Sequence, residues 1–177
     1  INGLIWMGDR ETMFGRIQQK LDRGFRCLKL KIGGIDLDDE LALLKYIRSR
    51  FPADVLELRA DANGAFTPEN ALARLEKLSQ FGLHSIEQPI RAGQPEAMAR
   101  VCALSPVPVA LDEELIGITS DDIKAQMLGL IKPQYIILKP ALCGGFAEAD
   151  RWIETATGTG IGWWATSALE SNIGLNA

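Results

Sequence analysis

The sequence predicts an α/β fold in which parallel strands form a barrel of the TIM type. Short apolar runs alternate with amphipathic helical segments along the whole chain, and such alternation implies crossover connections and a parallel sheet. Charged residues also end five successive predicted strands, at intervals of 30, 26, 25 and 27 residues. Each interval is the length of one β/α module, so every module contributes charge at the same place.

The composition describes a globular domain able to bury a sizeable core, with 177 residues, 47% hydrophobic and 24% charged. The net charge of −4 and the absence of a basic stripe argue against a nucleic-acid partner. No apolar run approaches the ~18 residues of a membrane helix, and no signal peptide opens the chain, so we expect a cytoplasmic protein. The three cysteines, Cys27, Cys102 and Cys143, are expected to be reduced core thiols.

The strands come from apolar runs and the helices from their capping signals. Acidic residues from Asp38 to Glu40, Pro68 behind Thr67, and Ser120 before an apolar repeat each predict the start of a helix. The expected strands are Gly3–Trp6, Cys27–Lys31, Leu56–Asp61, Ser85–Gln88, Val107–Asp112, Tyr135–Lys139 and Gly162–Ala165.

Two architectures fit this alternation, an open doubly wound sheet and a closed eight-stranded barrel. An open sheet gathers polar groups mainly at one switch point, whereas a barrel brings the carboxyl ends of all strands around one mouth. Charges at five consecutive strand ends favour the barrel. In chain order these polar residues are Lys29, Lys31, Asp61, Asn63, Glu87, Asp112 and Lys139.

The segment LKLKI shows how the charges are expected to point inward. Alternate residues of a strand face opposite sides, so Leu28, Leu30 and Ile32 would meet the helices while Lys29 and Lys31 face the barrel interior. Taken alone, the segment could be a strand with one solvated face. A parallel sheet is usually covered on both sides, however, so recurring charges need partners.

Other residues with chemical potential have plainer interpretations. The DAN segment from Asp61 could be an ordinary Asx turn, and the acidic residues after the fifth strand a solvated cap. His84 has no evident catalytic partner, and Gly33-Gly34 lacks a phosphate-loop pattern. The acidic stretch after it lacks calcium-loop spacing. Trp163-Trp164 is expected to pack on the core on one side and line a pocket on the other.

The converging carboxylates of Asp61, Glu87 and Asp112 form an all-oxygen site that would repel itself without a cation. Oxygen ligands favour Mg²⁺, with Mn²⁺ as the other choice. A positively charged neighbourhood favours the neutral form of a lysine, which can then act as a base. A metal that holds a substrate carboxylate stabilises the enediolate formed when the adjacent α-proton leaves.

The order KLK, DAN, IEQP, LDEE and ILKP resembles the muconate-cycloisomerase branch of the enolase superfamily, in which a lysine base works beside Mg²⁺. Within that branch, LDEEL, QYIILKP and TSALESNIGLN are most similar to the o-succinylbenzoate synthase family. The resemblance implies a Mg²⁺-dependent hydro-lyase of menaquinone biosynthesis. It would dehydrate 2-succinyl-6-hydroxy-2,4-cyclohexadiene-1-carboxylate in a syn elimination.

The same resemblance implies roles for individual residues. Asp61, Glu87 and Asp112 would bind the metal, and Lys31 would remove the α-proton and deliver a proton to the departing hydroxyl. Lys29 would assist Lys31 and contact the substrate carboxylate. The remaining implied residues are Lys139, which would stabilise the intermediate across the ring, Asn63 as a substrate contact, and Ser167 and Glu170 beside the succinyl group.

The resemblance implies a capping domain followed by a complete barrel, whereas the pattern of this chain predicts about seven β/α modules. A complete barrel takes ~250 residues, so residues 1–177 are expected to be a catalytic barrel fragment without the capping domain or the last module. Dipeptide epimerase and N-acylamino acid racemase use the same lysines and metal and remain alternatives. A non-catalytic, doubly wound metal-binding or receiver module is an alternative of a different class.

Overall fold

Strands and helices alternate along residues 1–176, the part of the chain that the computed structural model describes. In order, the elements are β1 (Gly3–Ile5), α1 (Arg10–Asp22), β2 (Cys27–Lys31), α2 (Leu37–Arg48), β3 (Glu57–Asp61), α3 (Ala71–Ser79), β4 (Ser85–Glu87), α4 (Pro95–Leu104), β5 (Val109–Leu111), a 3₁₀ helix (Glu113–Leu115), α5 (Asp121–Ile131), β6 (Tyr135–Leu138), α6 (Pro140–Cys143), α7 (Phe146–Gly158), β7 (Gly162–Ala165) and α8 (Asn172–Leu175).

The seven strands form one sheet in which every strand pairs in parallel with the next strand along the chain. A doubly wound sheet reverses its strand order at a switch point. The sequential order therefore confirms the TIM-type prediction and shows that the doubly wound alternative is wrong. A receiver module, which needs such a sheet, is excluded with it.

The apolar core lies where the leucine-bearing face of the sheet packs against the helices. Leu28 and Leu30 of β2 are buried in the same apolar cluster as Leu44 and Ile47 of α2. A fully buried leucine side chain stabilises the fold by about 1.5–3 kcal/mol. This burial fixes which way β2 faces, and the alternation then directs Lys29 and Lys31 to the opposite side.

The predicted strand positions are confirmed, with differences at some ends. Pro108 has no N–H to donate to a ladder, so β5 begins at Val109. Gln88 has a φ of 38° and leaves the extended conformation, so β4 ends before it. Five strands are shorter than expected, with Gly3–Ile5 for Gly3–Trp6, Glu57–Asp61 for Leu56–Asp61, Ser85–Glu87 for Ser85–Gln88, Val109–Leu111 for Val107–Asp112, and Tyr135–Leu138 for Tyr135–Lys139.

The helix start expected at Pro68 is wrong by one turn. Helix α3 begins at Ala71, and residues 67–70 form a turn instead. The Thr67 N–H donates to Asn70 Oδ1 at 3.0 Å, and the Ala71 N–H donates to the Thr67 carbonyl at 2.9 Å. The Asn70 side chain thus closes a local turn that competes with the first helical turn. Ser120 precedes α5 as predicted.

Candidate active site at the carboxyl ends of the strands

The two lysines of β2 point to the side of the sheet opposite its leucines, as predicted. Lys31 Nζ donates to Asp61 Oδ2 at 2.6 Å and to Asn63 Oδ1 at 2.7 Å. Lys29 Nζ lies 3.0 Å from Asp61 Oδ2 and also pairs with Glu87 Oε2. The side chains of both lysines are nearly buried, at 13% and 10% exposed. The pair is therefore not a solvated strand face.

Three carboxylates stand beside these lysines on neighbouring strands. Asp61 of β3 is in register with Glu87 of β4, and Asp112 follows the end of β5. The three are 0%, 3% and 2% exposed. Lys139, just past β6, pairs with Asp112 Oδ2. We call Lys29, Lys31, Lys139, Asp61, Glu87 and Asp112 the strand-end cluster.

Burial and mutual pairing move the pKa values within this cluster in opposite directions. Burial, with the neighbouring Asp61 carboxylate, raises the pKa of Glu87 to about 9 against the opposing effect of Lys29. Burial would also raise the pKa of Asp61, but the ammonium groups of Lys29 and Lys31 outweigh it and lower that pKa. Burial disfavours the charged form of Lys29, yet Glu87 and Asp61 together raise its pKa.

The carboxylate oxygens of Asp61, Glu87 and Asp112 are ligands that suit a hard divalent cation, although they are paired with lysine ammonium groups in this structure. Within residues 1–176, no three carboxylate, thiol or imidazole side chains are arranged to hold a metal ion as they stand. The reason is local, because lysine ammonium groups contact Asp61, Glu87 and Asp112. Among the described residues, Glu87 Oε1 nevertheless has no hydrogen-bond partner, although it is buried. An unpaired buried carboxylate oxygen is costly and is the kind of ligand that Mg²⁺ accepts.

Asn63 joins the strand-end cluster from the loop after β3. Its N–H donates to Asp61 Oδ1 at 3.0 Å, so the Asx turn considered from the sequence is present. Its side chain also accepts from Lys31 and donates to Glu113 Oε1 at 2.8 Å. The turn and the contact to the lysine therefore coexist, with Asn63 at a φ of 43°.

The three lysines of the cluster line one cavity of about 380 Å³. Trp6, after β1, places its ring 5.5 Å from Lys31 Nζ and forms part of the wall. Ser167 also lines this cavity. Glu170 does not; its Oε2 accepts the Ala168 N–H at 2.6 Å, and it lines an adjoining cavity that shares Ser167. Ser167 borders the same cavity as the lysines, and Glu170 lies at the adjoining cavity, where the hydrogen bond from the Ala168 N–H, with a smaller contribution from the Lys139 ammonium group, lowers its pKa.

The weaker sequence candidates lie in structural roles. His84 precedes β4 and stacks on Tyr135 at 5.0 Å, and burial lowers its pKa. The Gly33 N–H donates to the buried carboxylate of Glu40, so the Gly33-Gly34 loop already binds an anion from the chain itself. Trp164 packs against Arg59 at 4.3 Å and lines a cavity that Ser167 also borders. Trp163 is exposed, so the expected core packing is wrong for that residue. All three cysteines are free thiols, as expected, but only Cys102 and Cys143 lie in the core, whereas Cys27 is half-buried.

Several residues at the site are not indicated by the sequence pattern, and the solvated cap considered after the fifth strand is wrong for Glu114, which is buried. Gln88 and Glu114 are buried beside the carboxylates and hydrogen-bonded to each other at 3.1 Å. Glu113 reaches Asn63, and Trp6 covers Lys31. The sequence signal for these residues is their position next to predicted metal ligands, because Gln88 directly follows Glu87, and Glu113 and Glu114 directly follow Asp112.

Parallel β/α modules with charged side chains around the carboxyl ends of the strands define the class of TIM-barrel proteins. Residues 13–177 match the family described as "Enolase C-terminal domain-like", and the chain belongs to that family.

Individual relatives agree with this assignment. An o-succinylbenzoate synthase of Desulfotalea psychrophila is 59% identical over 177 residues, which cover 100% of this chain and 48% of that protein. An N-succinylamino acid racemase of Amycolatopsis is 34% identical over 160 residues, covering 89% of this chain and 40% of that protein. The crystal structure of MenC from Desulfotalea psychrophila has a TM-score of 0.90 at 58% identity and covers 99% of this chain and 48% of that chain. The chain spans about half the length of the curated relatives it matches.

Within residues 1–176, no helix combines the length and the apolar character needed to cross a lipid bilayer.

Proposed function

We propose that the intact protein carrying this chain is a cytoplasmic, Mg²⁺-dependent o-succinylbenzoate synthase of menaquinone biosynthesis. It would convert the small carboxylate 2-succinyl-6-hydroxy-2,4-cyclohexadiene-1-carboxylate into o-succinylbenzoate and water, without a nucleic-acid or membrane partner. The observation that carries the proposal is the convergence of three lysines on one cavity beside three buried carboxylates. The 59% identity to a protein of that name supports this choice of substrate.

Lys31 is the proposed base. Its Nζ reaches the cavity while held by Asp61 and Asn63 at 2.6 and 2.7 Å. In the proposed reaction, Lys31 takes the proton from the carbon that bears the carboxylate. The electrons of that C–H bond would first pass into the carboxylate as an enediolate and then form the new ring double bond as the C–O bond breaks, and Lys31 would return the proton to the leaving hydroxyl as water forms. One lysine on one face thus suffices for a syn elimination.

Asp61, Glu87 and Asp112 are the proposed Mg²⁺ ligands, with Mn²⁺ as an accepted substitute. Bound Mg²⁺ would hold the substrate carboxylate and stabilise the negative charge that develops on it as the proton departs. An Asp61 carboxylate that binds Mg²⁺ would hold Lys31 less strongly. Asn63 would then keep Lys31 in position. Lys29 lies between Asp61 and Glu87 and offers a positive charge to the same end of the substrate.

Lys139 is proposed to face the substrate from the other end of the strand-end cluster. It follows β6, whereas Lys31 ends β2, and both line the cavity. Its ammonium group would stabilise the negative charge of the intermediate, including by a cation–π contact with the ring. Ser167 and Glu170 are proposed to bind the succinyl group. The Ser167 Oγ is the nearer candidate because it borders the same cavity as the lysines.

The test compares Lys31→Ala with Lys45→Ala in the intact protein. Lys45 is an exposed lysine of α2 away from the cavity and serves as the matched control. We expect dehydration to fall by about 10³-fold or more in Lys31→Ala, since general-base catalysis contributes 10²–10⁴-fold, and to stay unchanged in Lys45→Ala. Product formation from the cyclohexadiene substrate measures both. Parental turnover in a folded Lys31→Ala protein would refute the assignment.

Racemisation or epimerisation of an N-acylated amino acid or a dipeptide is the second candidate function. Lys31 at the end of β2 and Lys139 just past β6 border one cavity. Such a reaction needs two bases on opposite faces of an α-carbon. The similarity to a named N-succinylamino acid racemase also supports this candidate. Solvent deuterium incorporation into N-succinylamino acids and an L-Ala-L-Glu dipeptide separates the two. Faster exchange into these compounds than dehydration of the cyclohexadiene favours the second candidate.

A further inference from the structure

Gln88 is a buried polar residue that joins the ends of β4 and β5. It directly follows Glu87 and is 1% exposed. Its side-chain Oε1 accepts the Asp112 N–H at 3.1 Å and the Glu114 N–H at 3.4 Å. Its Nε2 donates to Glu114 Oε2 at 3.1 Å and to the Ile90 carbonyl at 3.0 Å. A primary amide offers two donor hydrogens and two acceptor lone pairs, and all four are used here.

The backbone of Gln88 extends this network to the neighbouring strand ends. Its N–H donates to the Ala110 carbonyl at 2.9 Å, and its carbonyl accepts the Gly64 N–H at 2.7 Å. Glu114, the side-chain partner of Gln88, also accepts the Gly93 N–H at 2.9 Å. One residue therefore ties together the segments after β3, β4 and β5, of which the first two directly follow Asp61 and Glu87 and the third begins with Asp112.

The backbone conformation of Gln88 is itself unfavourable. A φ of 38° lies in the left-handed region, which costs a non-glycine residue about 1–2 kcal/mol. Strain of this kind persists only where surrounding contacts determine the conformation. Here the turn allows two consecutive side chains to serve one site, with Glu87 contacting Lys29 and Gln88 reaching the backbone of Asp112.

We propose that Gln88 is a positioning residue that fixes Asp112 relative to Glu87, and so sets the spacing of two metal-binding carboxylates. The inference rests on the proposed function, because it takes these carboxylates as metal ligands. Partners that orient metal ligands from outside typically contribute 10–100-fold to metal affinity. Gln88 contacts neither metal nor substrate in this role and acts through the Asp112 main chain.

The chain supplies a matched control at the opposite end of the same strand. The Gln134 side-chain Oε1 accepts the Val109 N–H at 2.8 Å, so it makes the same kind of bond to the first residue of β5. Gln88→Met removes the hydrogen bond from the Asp112 N–H just after β5, and Gln134→Met removes the bond from the Val109 N–H at its start. Both substitutions keep the length of the side chain. A purely structural role for Gln88 predicts similar behaviour of the two variants toward metal.

The experiment titrates the intact protein with Mn²⁺ alone and follows free Mn²⁺ by electron paramagnetic resonance. We expect Gln88→Met to weaken Mn²⁺ binding about 10-fold or more and Gln134→Met to bind within two-fold of the parent, with thermal unfolding recorded for both. Gln88→Asn is a second variant that suits the left-handed backbone but is one methylene too short to reach Asp112. We expect it to fold and to weaken Mn²⁺ binding as well.

Two results overturn the inference in distinguishable ways. If a folded Gln88→Met or Gln88→Asn protein binds Mn²⁺ within two-fold of the parent, Gln88 does not position the ligands, and the proposed function is untouched. If the parent itself binds no Mn²⁺, the proposed metal site fails and the inference falls with it.

Discussion

Two clusters of buried charge in this molecule combine lysine with carboxylates, one at the strand ends and one between helices. In the second, which we call the helix cluster, Lys124 of α5 is 0% exposed and binds Asp121 at 2.9 Å and Glu148 of α7 at 2.6 Å. Arg151 also binds Glu148, at 2.8 Å, and the Lys124 ammonium lies 5.7 Å from the Trp152 ring. The two clusters thus share the same pairing chemistry.

The clusters differ in what surrounds the carboxylates. In the helix cluster the Asp121 side chain is 62% exposed and Glu148 is 17% exposed, so water hydrates part of the charge. In the strand-end cluster Asp61, Glu87 and Asp112 are at most 3% exposed. Removing an ion from water costs several kcal/mol even when it is paired. The helix cluster serves to dock two helices, whereas the strand-end cluster retains a costly arrangement that stability alone does not require.

The largest expected difference comes from removing the central carboxylate of each cluster. Asp61 accepts from Lys29 and Lys31, and Glu148 accepts from Lys124 and Arg151, so Asp61→Asn and Glu148→Gln are matched changes. Because the proposed metal site would lose a ligand, and bound metal contributes several kcal/mol to the transition state, we expect the kcat/KM for dehydration by the intact protein to fall about 10³-fold or more for Asp61→Asn, and to stay within two-fold for Glu148→Gln. Similar losses in both variants would remove the functional distinction between the clusters.

The two clusters are expected to respond differently to pH. The pKa of Glu87 is raised to about 9, whereas the hydrogen bond from Lys124 lowers the pKa of Asp121. An unfolded glutamate has a pKa of about 4.3. Between these values the folded chain keeps a proton that the unfolded chain has lost, so this group makes stability fall as pH rises. In the proposed metal site, Mg²⁺ would bind the ionised carboxylate and offset that loss.

We therefore expect saturating Mg²⁺ to raise the melting temperature more at pH 8.5 than at pH 6.5. Glu87→Gln should abolish this dependence on pH, and Asp121→Asn should leave it intact. Thermal unfolding of the intact protein with and without Mg²⁺ at the two pH values provides the measurement. An equal shift at both pH values in the parent would contradict the raised pKa of Glu87.

The smallest expected effect comes from Lys124→Met. Glu148 keeps Arg151 as a partner, Asp121 is exposed, and the methionine side chain fills most of the space beside Trp152. We expect the free energy of unfolding to fall by about 1 kcal/mol, with turnover unchanged. Urea unfolding and the dehydration assay check the two halves of this statement, and a large loss of turnover would show that the helix cluster acts on the site.

The parts of the site that depend on strand alternation were predictable from the sequence. Lys29 and Lys31 alternate with buried leucines, so their direction follows from the period of two. Asp61, Glu87 and Asp112 follow from the spacing of the modules, because parallel strands bring their carboxyl ends to one side. These patterns require only local geometry, and the structure places all five residues together with Lys139 as expected.

The contacts that support the site depend on features that a pattern does not show. The network of Gln88 requires a left-handed backbone at a residue with no marked preference for it. Its bond to Glu114 joins residues 26 positions apart, one just after β4 and the other in the 3₁₀ helix after β5. The position of Glu170 likewise depends on its own bond to the Ala168 N–H, which holds its carboxylate beside the adjoining cavity.

The sequential strand order also has a consequence for how the sheet forms. In the described part of the chain, every strand pairs with its sequence neighbours, so paired residues such as Lys31 and Asp61, or Asp61 and Glu87, are separated by a single module. The entropic cost of bringing two strands together rises only slowly with the length of chain between them. It is therefore nearly the same for each of these connections. Each new module can dock on the module before it, and the charged residues gather one strand at a time in the order of synthesis.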